Sequence, residues 1–128
     1  MEMREPTYFL LAGLLDSPRH GYAIAQLARE LSGGRVGLSA GTLYGALERL
    51  SDQGLIRPVD EVRVGGRRRR VYELTEDGRA QLVEEAQRLR EAAEVVTARL
   101  LAAEDGQAEI DRVAAEVARR TEERLASR

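Results

Sequence analysis

Apolar residues recur along this chain at two different spacings, and the change of spacing divides it. From about Glu5 to Leu15, Tyr8, Leu11 and Leu15 share one side of a helix, and Leu10 and Leu14 share the next. A helix apolar over so much of its circumference is buried, either centrally or between subunits. Pro6 is tolerated in its first turn, where the missing N–H has no intrahelical partner to lose. Asp16-Ser17-Pro18-Arg19 is turn sequence, with His20 as a cap or surface residue after it. A second helix, Gly21 to Leu31, carries Ile24, Leu27, Ala28 and Leu31 on one face and stops at Ser32-Gly33-Gly34. The third stretch, Ser39 to Ile56, is the most regular. Ser39 is a good N-cap, and Leu43, Ala46, Leu47 and Leu50 form a single apolar stripe. Thr42, Tyr44, Gly45, Glu48 and Arg49 take the other face. Gly54 ends the helix, and Leu55-Ile56 turns the chain back toward a core.

The period then changes from helical to alternating. Arg57 to Val64 and Arg70 to Leu74 are rich in Val, with Tyr72, and flank Gly65-Gly66-Arg67-Arg68-Arg69. That pattern predicts two antiparallel strands joined by a loop that begins at glycine. An isolated hairpin is marginal in water, so it must pack on the helices. Three helices followed by such a hairpin make a winged helix-turn-helix, with the loop as the wing. Thr75 caps a fourth helix, with Glu76 and Asp77 at the positive end of its dipole. Along it Leu82, Leu89 and Val96 repeat at seven, and Ala86, Ala93 and Leu100 form a second row beside them. Two such rows indicate a helix that packs lengthwise on another. From Glu76 to Leu101 it would be about 39 Å long at roughly 1.5 Å per residue. The rest of a small domain does not cover that length, so a second copy of the chain is the expected partner; folding back on the chain's own last helix is the alternative. Ala103 to Gly106 breaks the pattern, and Ile110, Val113, Ala114, Val117, Ala118 and Leu125 form a final amphipathic helix. The expected fold is mainly α with a small β-hairpin wing, residues 1–78 forming the winged helix-turn-helix and residues 79–128 a C-terminal helical region.

Composition narrows what such a fold can do. The 128 residues contain no Cys and a single His, so neither disulfides nor thiol chemistry is available, and a His-based catalytic triad or a metal site has no convincing partners. Glu84-Glu85 and Glu122-Glu123 are adjacent pairs, which on a helix diverge by about 100° and do not converge on a substrate. No enzyme, cofactor or metal is expected. No apolar run is long enough to span a membrane, and Tyr8 to Leu15 lacks the basic leader of a signal peptide, so a cytoplasmic protein is expected. The net charge of -2 argues against indiscriminate nucleic-acid binding. Yet Arg63 to Arg70 holds five Arg and no acid. A local basic spike on a nearly neutral body suits site-directed electrostatics.

Several motifs stand in one order along the chain: Leu10-Leu-x-Gly-Leu-Leu, His20-Gly21-Tyr22-x-Ile24, Gly41-Thr42-Leu43-Tyr44-x-x-Leu47-x-x-Leu50, Gly54-Leu55-Ile56 and Tyr72-x-Leu74-Thr75-x-x-Gly78. Together they resemble the PadR family of transcriptional regulators, over about Leu10 to Gly78. The resemblance implies a homodimeric winged-helix repressor, often one that leaves its operator when a small molecule binds. It also implies that Gly41 to Tyr44 faces DNA and that the C-terminal helix dimerises. This wing departs from the family's usual pattern at Arg68, where Pro is common, and at Val71, where an aromatic is common.

On that reading Ser39, Thr42 and Tyr44 meet base edges and nearby phosphates, and Gly41 permits close approach. Arg67, Arg68 and Arg69 lie on backbone phosphates or in the minor groove, while Arg70 begins the strand and points back toward the protein. Tyr22 touches a phosphate or packs half-buried. Two subunits place their recognition helices about 34 Å apart on a pseudo-palindromic operator of double-stranded DNA. Leu82, Ala86, Leu89, Ala93, Val96 and Leu100 form the dimer seam. Tyr8, Phe9, Leu11, Leu89 and Val96 are the candidate lining of a pocket for a small hydrophobic effector, against plain interface packing with no cavity. The competing function is a winged helix used for protein–protein contact without DNA, since the fold alone does not dictate its partner.

Overall fold

A computed structural model of the chain describes residues 3–127. Among them are five helices and a three-stranded antiparallel sheet: α1 (Glu5–Ala12), β1 (Arg19–His20), α2 (Gly21–Leu31), α3 (Ala40–Asp52), β2 (Ile56–Val64), β3 (Arg67–Leu74), α4 (Glu76–Leu101) and α5 (Gly106–Ala126). The expected winged helix-turn-helix is present. Its core is the apolar stripes of α1, α2 and α3 closed by Leu55, Ile56 and Tyr72 from the hairpin. Leu11, Ile24 and Leu47 are wholly buried there.

Three boundaries differ from the sequence expectation. The first helix stops at Ala12, because Gly13, Leu14 and Leu15 close tighter turns, with Leu14 N–H donating to Leu11 O at 3.0 Å and Leu15 N–H to Ala12 O at 3.2 Å. Leu14 still reaches the core, while Leu15 is exposed. The supposed turn before α2 ends in a two-residue strand, Arg19 and His20 pairing with Tyr72 and Val71. The wing loop shrinks to Gly65-Gly66, whose φ values of 60° and 80° give the doubly positive turn that matches hairpin twist. Arg67, Arg68 and Arg69 are therefore strand residues opposite Val64, Arg63 and Val62. Strand order is β1-β3-β2, leaving β2 on the outer edge, with an irregularity between Pro58 and Asp60.

Both long C-terminal helices form. Thr75 caps α4, its Oγ1 accepting from Gly78 N–H at 2.9 Å and donating to Gly54 O at 2.7 Å. The hairpin between α4 and α5 sends α5 back toward the body of its own chain. There Arg124 Nη1 donates to Gly33 O at 3.0 Å, and Arg29 Nη2 donates to Arg124 O at 3.3 Å. Thr121 and Arg124 press on Gly33 and Gly34, both at positive φ (64° and 83°) where a side chain would strain the backbone. Contact at its two ends does not cover α4: every residue from Gln87 to Arg99 is exposed.

Where α4 crosses α1, the Glu85 carboxylate is buried at 3% side-chain exposure and accepts from Arg88 Nε and Nη2 at 2.9 and 2.6 Å. The Arg88 hydrogen bonds hold its pKa below the ordinary carboxylate value, assisted by the Met3 backbone N–H, against the opposing effect of burial. A carboxyl with a lowered folded pKa stabilises at neutral pH and loses that contribution as pH falls through the folded value. Urea unfolding should therefore show wild type more stable than Glu85→Gln at pH 7, with the gap closing under acid. A gap that widened on acidification would refute the assignment.

Candidate nucleic-acid interface

The outer face of α3 is where the sequence places the reading residues, and the structure presents them there. Burying Leu43, Ala46, Leu47 and Leu50 turns Ser39, Gly41, Thr42, Tyr44 and Gly45 outward, all exposed. Ser39 caps the helix, its Oγ accepting from Thr42 N–H at 3.3 Å and donating to Thr42 Oγ1 at 3.0 Å. The Ser39 hydroxyl is thus turned onto the helix, and the Thr42 hydroxyl keeps its own proton to give away.

Gly41 and Gly45 sit one turn apart on this face, and a methyl group at either would meet nothing within 4 Å. Glycine inside a helix costs about 1 kcal/mol relative to alanine, and no contact within the chain requires it at these positions. Together they leave a strip of bare backbone beside Thr42 and Tyr44, a shape suited to close approach by another molecule. The sequence reading gives a role to Gly41 and none to Gly45; the four-residue spacing is the signal that links them. Gly41→Ala and Gly45→Ala should each stabilise the free protein, by up to about 1 kcal/mol in urea unfolding, while weakening its complex. Variants that bound their target as tightly as wild type would show that nothing approaches the strip.

Beside α3 the wing carries its arginines on β3. Arg67 and Arg68 are exposed, and Arg68 lies 3.7 Å from Glu61 across the hairpin, a solvated pair of little energetic weight. The expected orientations of Arg69 and Arg70 are exchanged. Arg69 is half-buried and its Nη1 donates to Tyr44 Oη at 3.1 Å, whereas Arg70 is exposed. Arg69 shares its strand face with the buried Val71, which pairs with His20 at the start of α2, and from there it reaches Tyr44. Tyr22 is exposed at the start of α2, its hydroxyl accepting from Gln26 Nε2 at 3.3 Å. His20 caps α2, its Nδ1 accepting from Ala23 N–H at 3.3 Å. Among the described residues no helix is long and apolar enough to cross a membrane.

The family model described as "Transcriptional regulator PadR-like family" matches residues 10–84, more than half of the chain. The chain belongs to the PadR-like family. Members are transcriptional regulators and not enzymes. A curated relative, "Transcriptional regulator Rv3488" of Mycobacterium tuberculosis (strain ATCC 25618 / H37Rv), is 46% identical over 82 residues, covering 63% of this chain and 72% of that protein. By contrast, the chain spans 23% of a 37.1 kDa transposon protein of Streptomyces fradiae to which it is 41% identical over 86 residues, or 67% of its own length. Among solved structures, a PadR family transcription regulator from Clostridium difficile R20291 superposes with a TM-score of 0.62 at 29% identity, covering 76% of this chain and 99% of that one. Bacillus subtilis PadR, solved in complex with operator DNA, superposes with a TM-score of 0.56 at 25% identity, covering 66% of this chain and 46% of that one.

For this PadR-like chain, the six seam residues fall into three groups. Leu82 is 4% exposed and belongs to the chain's own core, because the first turns of α4 still lie against the winged helix. Ala86 and Leu100 are half-buried, and Leu89, Ala93 and Val96 face outward. The five residues named for an effector pocket are not gathered in one chain. Leu11 is wholly buried, Tyr8 and Phe9 stack edge-to-face at 5.2 Å against the core, and Leu89 and Val96 stand on the exposed length of α4. The cleft between α1 and α3, about 560 Å³, is lined by others, including Arg4, Thr7, Leu38, Thr42 and Arg49.

Proposed function

We propose that the chain is a homodimeric repressor that reads a pseudo-palindromic site in double-stranded DNA. Residues 1–78 carry the contact, with the start of α3 in the major groove and the wing on the adjoining backbone. Residues 79–128 join the two copies. The observation that carries this reading is the outer face of α3, which combines the Thr42 hydroxyl with a glycine strip that nothing inside the chain requires. The exposed arginines of β3 beside it supply sequence-independent attraction to phosphate. The operator-bound Bacillus subtilis relative supports the same partner.

Within this scheme Thr42 and Tyr44 discriminate bases, Ser39 and Gly41 shape the helix end, Arg67 and Arg68 meet phosphates, and Tyr22 lies near the backbone. Release by a small hydrophobic effector completes the reading, with Leu89, Val96, Tyr8 and Phe9 contributed across the two copies and Leu11 left in the core. A cytoplasmic location follows from DNA as the partner.

Selection of bound duplexes from a random pool, followed by salt titration on the recovered site, tests the proposal. Every arginine taken off a phosphate should flatten the log-log salt dependence by about 0.9. Replacing Arg67 and Arg68 together by Ala should therefore lower its magnitude by roughly 1.8 and weaken random and selected DNA alike. A slope that does not move would take the wing out of the mechanism, and failure to recover any duplex at low salt would reject DNA as the partner.

A further inference from the structure

The four consecutive arginines of β3 do not share one environment. Arg67, Arg68 and Arg70 are exposed, whereas Arg69 is half-buried. Its Nε is closed off from solvent with no hydrogen-bond partner, and its Nη1 reaches Tyr44 Oη on α3 at 3.1 Å. An arginine aimed outward at phosphate would keep its whole fork in water until DNA arrived. This one is drawn inward, onto the helix whose tip is proposed to read the groove.

We propose that Arg69 is a positioning residue that holds the wing at a fixed angle to α3 through Tyr44, and is not itself a phosphate ligand. Tyr44 is built to receive it. Its ring lies over Gly21, where an added methyl group would stand 3.2 Å from Tyr44 Cε1 and 3.1 Å from Leu47 Cδ1, so glycine there leaves the notch that seats the ring. Pairing of His20 with Val71 brings that notch alongside β3. The ring is thus bounded by the start of α2 on one side and the Arg69 guanidinium on another.

Mechanics gives the contact its consequence. Val71 and Tyr72 are buried, but every residue of β2 from Arg57 to Val64 is exposed, as are Arg67 and Arg68. Beyond Val71 the hairpin is a lever with little packing of its own, and lone hairpins are marginal in water. From Arg69 to the Gly65-Gly66 turn the arm is about 10 Å at roughly 3.3 Å per residue. A small rotation at its base moves the exposed arginines relative to the tip of α3. A charge-assisted bond to the Tyr44 phenol resists that rotation. Because the phenol oxygen accepts from Arg69, its own O–H is left to donate outward, polarised by the cation behind it.

The inference rests on DNA as the partner, but its first test does not. In the free protein, urea unfolding of Tyr44→Phe, Arg69→Met and the double variant forms a thermodynamic cycle. The double variant should be no less stable than the weaker single one, and additive losses would overturn the clamp whether or not DNA binds. Anisotropy titrations on the selected duplex and a random one supply the second readout. Each single variant should reduce the selected-to-random affinity ratio about tenfold, the order of one charged hydrogen bond, and the double variant no further. The Arg69→Met salt slope should match wild type, whereas Arg67→Ala should flatten it by about 0.9. An equal flattening by Arg69→Met would make Arg69 a phosphate ligand and end the proposal. If wild type binds no duplex, the DNA reading fails, and the cycle in the free protein still decides the clamp.

Discussion

Gly78→Ala is expected to destabilise the protein by about 3 kcal/mol, although helix propensity alone would favour alanine by about 1 kcal/mol. Gly78 lies in the first turn of α4, capped by Thr75, whose backbone N–H donates to Leu55 O at 3.1 Å. A methyl group at Gly78 would overlap the Leu55 carbonyl oxygen and lie 2.9 Å from both the Leu55 carbonyl carbon and Leu74 Cδ1. Two of these three neighbours are backbone, held in place by the Thr75 bond and by Leu55's own burial. The clash cannot be relieved by turning a side chain; α4 must lift from the end of α3, giving up that hydrogen bond and part of the Leu82 packing. Overpacking typically costs 1–3 kcal/mol, a broken hydrogen bond about 1 more, and the propensity gain offsets about 1. Of a total near 5–15 kcal/mol this is a large share. The urea midpoint should fall with little change in slope. A midpoint equal to or above wild type would mean that α4 does not start where it is placed.

The second large effect concerns association. Leu89 and Val96 are 41% and 59% exposed, and Val95, Leu101, Val113 and Val117 add further exposed apolar surface on the same two helices. Since Leu89 and Val96 contribute nothing to the core, Leu89→Glu with Val96→Glu should leave circular dichroism and the unfolding midpoint near those of wild type. Four carboxylates facing each other in an apolar seam would nevertheless be prohibitive to bury. Light scattering should give twice the mass of one chain for wild type and a single chain for the variant. Affinity for a two-half-site operator should drop between about 10² and 10⁴-fold, the scale of forfeited bivalency. A variant that remains dimeric would place the seam elsewhere, and a monomeric wild type would remove it altogether.

The elements most legible in the sequence are those whose local signals agree with their tertiary role. The boundaries of α2 and α4 coincide with Gly21, Leu31, Thr75 and Leu101 because caps and apolar period point the same way at each. The face of α3 is equally readable, since burying four apolar residues leaves no choice about which hydroxyls turn outward. The wing is harder. Arg67, Arg68 and Arg69 have no marked strand preference, so three arginines after two glycines look like loop, and only pairing with Val64, Arg63 and Val62 makes them strand. The two residues of β1 are too few to show any period. Heptad spacing links Leu82 to Leu89 and Val96, yet spacing does not say what covers each; the first lies within reach of the winged body and the others beyond it. The role of Arg69 depends on a contact 25 residues away, which no local pattern encodes.

The position of β2 has one more consequence. Its outer side offers a row of unsatisfied main-chain groups, the kind of template on which a foreign strand could add and extend into aggregate. Pro58 has no amide N–H to offer there, the irregularity between Pro58 and Asp60 spoils the repeat, and Asp60, Glu61 and Arg63 place charges of both signs along the remainder. An intruding chain would find neither a continuous ladder nor a neutral surface, so the hairpin can project into solvent without inviting fibril growth.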